Sequence, residues 1–172
     1  MTSNKGFTLI EMIVSVFIIT VGLVGVFSSI TKYSQMTQEE KENFQAYYIA
    51  QEGIEIVKNM RDSNWVDIEL NGTEGATWKD NLTSCASGCE ADYDDTALTA
   101  WSSPGRFLYI DGGTGGNEMY KYIETPGTGD VKTLYKRKIT ISEVDTYELD
   151  IIVDIYWADK SIQLKENIYN WK

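Results

Sequence analysis

The chain contains no histidine. Because histidine serves as the base in Ser-His-Asp and Cys-His nucleophile systems and is the commonest metal ligand, its absence removes most of the usual catalytic repertoire. Basic residues are also scarce, with 15 lysines and arginines against 26 aspartates and glutamates, and the net charge is −11. A surface of that sign repels nucleic acid and anionic lipid. We therefore expect a protein that is not an enzyme, holds no cofactor and binds no nucleic acid directly.

Cysteine is rare as well, with only Cys85 and Cys89 in the chain. Two thiols without histidine do not complete a four-ligand zinc site unless carboxylates fill in, so a disulfide in an oxidising compartment is the better prediction. Residues four apart on an extended strand are about 13 Å apart, so a Cys85–Cys89 bridge requires a turn.

Charge is missing altogether from residues 12–31. The apolar run over residues 7–30 is broken only by Glu11, and as a helix it spans roughly 36 Å, enough to cross a hydrocarbon core of about 30 Å. A secretory signal peptide is the alternative, but its apolar region covers only about 7–15 residues and ends in a small-x-small cleavage site. The run therefore predicts a transmembrane helix in a chain of 172 residues, a length that suits one further domain.

The charges that flank this run predict its orientation. Lys5 and the free amine precede it, whereas Glu39, Glu40 and Glu42 follow it. We expect a single-pass protein of the cytoplasmic membrane with the N-terminus inside and the remainder outside. Glu11 costs roughly 2.5–3.5 kcal/mol within an apolar span, which indicates either a functional partner or a side chain that snorkels to the interface.

Residues 5–11 read Lys-Gly-Phe-Thr-Leu-Ile-Glu and precede a long apolar helix. This pattern resembles the prepilin cleavage and methylation motif of type IV pilins and type II secretion pseudopilins. The resemblance implies cleavage by a prepilin peptidase between Gly6 and Phe7, N-methylation of Phe7, and pairing of Glu11 with the Phe7 amine of a neighbouring subunit. It implies other pilin subunits and the pilus or secretion assembly machinery as partners, and a pilus on the cell surface as the destination.

Two features of the helix bear on this resemblance. Many pilins carry a proline further along the helix, but here the first proline is Pro104. Gly22 and Gly25 provide either a weak point or a site of close helix packing. The segment 22–25 also resembles that of minor pilins.

The helix is predicted to continue beyond the apolar run. Residues 32–61 are amphipathic, which favours one helix over residues 7–60 that ends at residues 62–64; a separate helix after a break at Gly53 is the alternative. The apolar positions are Tyr33, Met36, Phe44, Tyr47, Ala50, Ile54, Val57 and Met60. The predicted organisation is a leader (residues 1–6), a transmembrane and assembly helix (7–31), its amphipathic continuation (32–62) and an extracytoplasmic β-rich head (63–172).

Alternating apolar residues over 135–141 and 147–157, a turn at 158–160 and a further strand at 162–164 predict an antiparallel meander with one face on the helix. A second hairpin is predicted between residues 107–110 and 119–123. The fold class is therefore α+β, a long N-terminal helix packed on an antiparallel β-sheet head.

Three further segments of the head are candidate sites. The glycine-rich residues 112–116 lack the Gly-Lys-Ser/Thr of a phosphate loop and predict a flexible hairpin loop. Acidic residues offer oxygen ligands for calcium, or simply form a solvated loop, and we commit to no metal. They are Asp92, Asp94 and Asp95, or Asp111 with Glu118. The basic residues 136–138 could contact DNA or an acidic neighbouring subunit, but a strand with alternate residues facing solvent explains them more simply.

The leading functional prediction is a structural subunit of a type IV pilus or pilin-like filament. Its alternatives are a pseudopilin of a type II secretion system and a single-pass anchored binding protein that never polymerises. An anchored enzyme would require paired carboxylates in a cleft, which no pattern in the sequence indicates.

Overall fold

The computed structural model describes residues 6–72, 75–112 and 119–171. The chain divides into two units, Met1–Asn43 and Phe44–Lys172. One α-helix, α1 (Leu9–Asn71), belongs to both units, and all the described strands belong to the second. The predicted α+β class, a long apolar N-terminal helix followed by antiparallel sheets, is confirmed.

The first unit contains the apolar run of α1 and the mainly polar residues 32–43 that follow it. Two hydroxyl groups of the apolar run donate to carbonyls inside the helix: Ser15 Oγ to the Glu11 carbonyl and Thr20 Oγ1 to the Val16 carbonyl, both at 2.7 Å. An 18-residue window of α1 has a mean hydropathy of 2.5, and none of this window is buried. By length and composition, α1 can cross a membrane.

The C-terminal end of α1 differs from the prediction. Residues 62–64 do not end the helix, which continues to Asn71. Asn64 lies inside the helix because its side-chain amide donates to the carbonyls of Trp78, at 3.1 Å, and Asp80, at 2.8 Å. These contacts with a distant segment replace the local capping that Ser and Asn favour at a helix end.

The amphipathic stripe also differs from the prediction. In the second unit α1 buries one face, which includes Ala50, Ile54, Val57 and Met60 as expected. Phe44 and Tyr47 were assigned to the same face, but they are 64 % and 50 % exposed. The buried face instead includes residues that the predicted stripe omitted: Ala46, Ile49, Gly53 and Ile56.

Two antiparallel sheets form the head. The larger has the strand order β2-β1-β6-β7-β8, and the smaller has the order β4-β3-β5. The strands are β1 (Cys89–Glu90), β2 (Thr99–Ala100), β3 (Tyr109–Ile110), β4 (Tyr120–Lys121), β5 (Val131–Lys132), β6 (Lys136–Glu143), β7 (Glu148–Trp157) and β8 (Lys160–Tyr169).

The predicted meander is confirmed as β6-β7-β8. Ile139 lies opposite Val153 in β7, and Val153 lies opposite Leu164 in β8. The turn between β7 and β8 begins at Ala158, which adopts a left-handed φ of 46°. The predicted second hairpin is confirmed as β3–β4, and β5 joins it as an unpredicted third strand. The glycine-rich prediction at 112–116 falls, after residue 112, outside the described residues.

One hydrophobic core lies between the buried face of α1 and the inward face of the large sheet. Alternate residues of β7 are fully buried, as the period of two predicts. Gly53 brings the helix close to the sheet, since a Cβ there would lie 3.1 Å from Val153 Cγ1. Each fully buried Ile or Leu contributes about 1.5–3 kcal/mol to stability, so this core holds the head together.

Candidate functional site

The chain before α1 is exposed and non-helical at residues 6–8. Phe7 is 80 % exposed. A Cβ added at Gly6 would meet nothing within 4 Å, so the fold itself does not require glycine at this position. Proteases bind accessible, non-helical substrate segments, and glycine at position 6 would allow close approach of a protease to the backbone.

Thr8 fixes the start of α1. Its Oγ1 accepts a hydrogen bond from the Glu11 amide at 3.4 Å, and its carbonyl accepts one from the Met12 amide at 3.2 Å. Glu11 therefore lies in the first turn, where a carboxylate interacts favourably with the positive end of the helix dipole. Glu11 is exposed, which leaves its side chain accessible to a partner.

The apolar side chains of this segment are exposed without exception among the described residues. Every large hydrophobic side chain from Phe7 to Ile30 has between 48 % and 80 % of its surface accessible. A continuous apolar surface of this length is not stable in water and requires a membrane or a protein partner.

Comparison with known families decides the nature of this segment. Residues 1–27 match the prokaryotic N-terminal methylation motif. This motif is the prepilin-type signal of type IV pilins and pseudopilins, as the sequence resemblance predicted. The methylation motif indicates a type IV pilin-like or pseudopilin precursor and a structural subunit rather than an enzyme. The match ends at residue 27, before the head begins.

The methylation motif also implies the partners of the precursor. It implies processing by a prepilin peptidase and assembly into a filament with other pilins. Together with the long apolar helix, the motif fits a membrane-anchored protein with an extracellular head. No curated protein and no solved structure matches the chain.

The predicted disulfide between Cys85 and Cys89 is present, with a Cα–Cα distance of 5.4 Å. The turn that it requires comes from a 3-10 helix at Thr83–Cys85 and from Gly88, whose amide donates to the Cys85 carbonyl at 3.0 Å. Gly88 has a φ of +104°. Cys89 pairs with Ile139 of β6, so the bridge holds its loop against the large sheet.

The acidic loop at 92–95 brings three carboxylates together, with oxygen atoms of Asp92, Asp94 and Asp95 within 4.8 Å of one another. The Tyr122 amide donates one bifurcated hydrogen bond to both carboxylate oxygens of Asp92, each at 3.0 Å, and Lys121 pairs with Asp94 at 2.8 Å. These contacts explain the cluster as part of the fold, and we assign no metal to it. Of the other two candidate calcium ligands, Asp111 and Glu118, Glu118 lies outside the described residues.

Burial gives Asp92 an unusual charge state. Asp92 is only 5 % exposed, and this desolvation, opposed by the Tyr122 amide and reinforced by Asp95, raises its pKa to about 6. Burial likewise raises the pKa of the Tyr122 hydroxyl above its ordinary value. The Tyr122 hydroxyl donates to the Arg137 carbonyl at 2.8 Å, which connects this loop to β6.

Arg137 is the residue whose position the sequence did not reveal. The strand pattern was expected to expose the basic residues 136–138, and Lys136 and Lys138 are partly exposed, but Arg137 is completely buried. Its guanidinium donates to the carbonyls of Ile49, at 3.3 Å, and Ala91, at 2.7 Å. It also lies 3.4 Å from Glu52 of α1, a salt bridge that opposes the rise which burial causes in the Glu52 pKa.

The alternation in β6 did contain a signal for this burial. Arg137 falls on the same side of the strand as Tyr135 and Ile139, both of which are buried. The charge of arginine predicts an exposed side chain, whereas the strand periodicity predicts a buried one. Burial is possible because acceptors on α1 and on the loop before β2 form hydrogen bonds with the guanidinium.

Proposed function

We propose that the chain is a structural subunit of a type IV pilus or pilin-like filament, processed by a prepilin peptidase and assembled through its N-terminal helix. The observation that carries the proposal is the methylation motif at residues 1–27, joined to a helix whose large apolar side chains over residues 7–30 are all exposed. Such a helix suits first a membrane and then a bundle of identical helices, because both offer apolar surroundings.

The first proposed step is proteolysis on the cytoplasmic face of the membrane. The peptidase removes the leader, residues 1–6, by cleavage between Gly6 and Phe7. The exposed, non-helical chain at these two residues supports this step. The new amine of Phe7 is then N-methylated.

The second proposed step is recruitment into the filament through Glu11. A carboxylate in apolar surroundings costs roughly 2.5–3.5 kcal/mol, and a neighbouring subunit's Phe7 amine offsets that cost by supplying the opposite charge. Because only one axial offset brings the two groups together, the pair also sets the register of packing. The exposure of Glu11 in the first turn of α1 supports this role.

The proposed topology assigns each segment to a compartment. The leader lies in the cytoplasm, residues 7–31 cross the membrane, residues 32–62 continue the helix, and the head, residues 63–172, lies outside. The excess of positive charge before the span and the Cys85–Cys89 bridge in the head support this orientation.

Substitution at Glu11 tests the assembly mechanism. We expect Glu11→Val to lower the amount of chain in sheared filaments by more than about tenfold, while cleavage of the leader continues. Glu40→Val, which removes the same charge from an exposed position later in α1, serves as the matched control and leaves assembly near the wild-type level. Filament recovery equal to wild type in the Glu11→Val variant would refute recruitment by charge.

A further inference from the structure

A pair of lysines in the head has no acidic partner among the described residues. The ammonium groups of Lys132 and Lys136 lie 4.0 Å and 4.5 Å from the centre of the Phe107 ring. In the part of the chain that the structure describes, neither lysine forms a salt bridge. We call Lys132 and Lys136 the basic pair. In a chain of net charge −11, two converging cations that no described carboxylate pairs with are available to the carboxylates of another molecule.

A complementary surface lies beside the last turns of α1. Asp67 and Asp80 are exposed and line a recess of about 290 Å³. The side chains that donate hydrogen bonds to them are neutral: Asn71 donates to Asp67 at 3.2 Å, and the Thr77 hydroxyl donates to Asp80 at 2.6 Å. The last turn of α1 contains no basic residue, so the negative end of the helix dipole adds to these charges. We call Asp67 and Asp80 the acidic end.

The basic pair and the acidic end lie at opposite ends of β6. Lys136 is the first residue of this strand, and Glu143 is the last. Glu143 forms a salt bridge with Lys79, the residue before Asp80. At about 3.3 Å per residue, the two ends of β6 are roughly 23 Å apart, so the two charged surfaces do not meet within one head.

Contacts with the second part of α1 also show that the two charged surfaces lie at opposite ends of the head. Tyr135, next to Lys136, donates from its hydroxyl to Gln45 at 3.4 Å, whereas the carbonyl of Asp80 accepts from Asn64 at 2.8 Å. Gln45 and Asn64 are separated by roughly 28 Å along the helix axis. The head therefore has a basic surface at its Gln45 end and an acidic surface at its Asn71 end.

We propose that the basic pair of one head docks on the acidic end of a second copy of this chain. This inference rests on the proposed filament function, in which the N-terminal helices of all copies point the same way. Parallel copies present the Gln45 end of one head to the Asn71 end of another, and such a head-to-tail contact repeats without closing. The contact places opposite charges together in a filament whose subunits otherwise repel one another, which favours this register over others.

Charge reversal in the full-length chain, expressed in cells in place of the wild-type copy, tests the contact. Lys132→Glu reverses one of the two charges of the basic pair and cancels its net charge. Asp67→Lys does the same at the acidic end without harm to the helix, because a cation there suits the helix dipole. We expect each single reversal to lower the fraction of chain in sheared filaments by about tenfold, and the double variant to recover most of the wild-type fraction.

Lys165→Glu is the matched control, since it changes the charge by the same amount at an exposed lysine in the middle of β8, away from both charged surfaces, and breaks the ion pair of this lysine with the partly buried Asp150. It should leave the filament fraction within about twofold of wild type. A loss with Lys165→Glu equal to that with Lys132→Glu would overturn the proposal in favour of a general charge effect. A double variant as defective as the single ones would overturn the assignment to a second copy.

The behaviour of the wild-type chain in the same experiment distinguishes a failure of the docking contact from a failure of the proposed function. A wild-type chain that enters filaments while Lys132→Glu enters them equally well contradicts only the docking contact. A wild-type chain that is absent from filaments and retains its leader contradicts the proposed function itself.

Discussion

Arg137 lies beside Glu52 without access to water, and its charge is compensated by one carboxylate and two carbonyls. A buried ion pair contributes little compared with a well-packed apolar pair, but removal of one partner leaves the other charge uncompensated. The consequence is a large asymmetry between single and double substitutions at this pair.

We therefore expect Arg137→Met to lower the free energy of unfolding by about 3–5 kcal/mol, and Glu52→Leu added to it to recover part of that loss. Urea denaturation of the full chain in detergent, followed by tryptophan fluorescence, measures both values. Lys165→Met, which removes an exposed lysine from its ion pair with the partly buried Asp150, should lower the free energy of unfolding by less than Arg137→Met does. A double variant less stable than Arg137→Met alone would contradict the buried-pair account.

Asp92 makes the stability of the head depend on pH. Its pKa of about 6 lies above its ordinary value of 3.8, so the folded head retains a proton that the unfolded chain releases between these values. The free energy of unfolding should therefore rise as the pH falls from 7 toward 4, by at most about 3 kcal/mol from this residue. The measurement is a series of denaturation curves across this range.

Asp92→Asn provides the control for that series. The amide keeps an acceptor for the Tyr122 backbone but binds no proton in this range. The rise in stability toward acid should become smaller in the variant. An identical pH dependence in wild type and Asp92→Asn would show that other carboxylates, among them Glu52, account for it.

At the scale of elements, the spacing between α1 and the large sheet depends on Gly53. A Cβ at this position would lie 2.9 Å from Arg137 Cδ and 3.1 Å from Val153 Cγ1. We expect Gly53→Ala to lower the free energy of unfolding by about 1–3 kcal/mol, although alanine favours helix by up to about 1 kcal/mol. Denaturation of the full chain measures the change.

Gly22→Ala is the matched control for Gly53→Ala. It makes the same substitution in the same helix, where a Cβ would meet nothing within 4 Å. We expect this variant to be as stable as wild type or slightly more stable. Gly53→Ala with wild-type stability would show that the helix moves away from the sheet at no cost.

The sequence was sufficient to predict elements with long, regular patterns. Alternation gave β6, β7 and β8, and the uninterrupted apolar run gave the first part of α1. The end of α1 escaped prediction because Asn64 bonds to residues 78 and 80, which no local pattern reveals. The short strands of the small sheet were only partly predictable, since β5 is two residues long and is defined by its partner β3.

The N-terminal methylation motif was recognisable for a different reason. Its residues form a contiguous motif, so no tertiary contact is needed to recognise it. The charged surfaces of the head were not predictable, because Lys132 and Lys136 come together on Phe107 only after β3, β5 and β6 have folded. A contiguous motif can be recognised in a single sequence, whereas a surface formed by residues from several strands cannot.

At the scale of the whole molecule, an anchored precursor has two outcomes. Either the leader is removed and the chain enters a filament, or the leader is retained and the chain stays in the membrane as a monomer. The apolar helix suits both states, because lipid and neighbouring helices both cover its surface. Only the chemical state of the N-terminus, measured separately in filaments and in membranes, distinguishes the two outcomes.

Mass spectrometry of the N-terminal peptide, from sheared surface filaments and from membranes of the same cells, is therefore the most direct measurement. The filament account predicts that the chain in filaments begins at an N-methylated Phe7. A chain found only in membranes and beginning at Met1 or Thr2 would contradict that account and favour an anchored protein that does not polymerise.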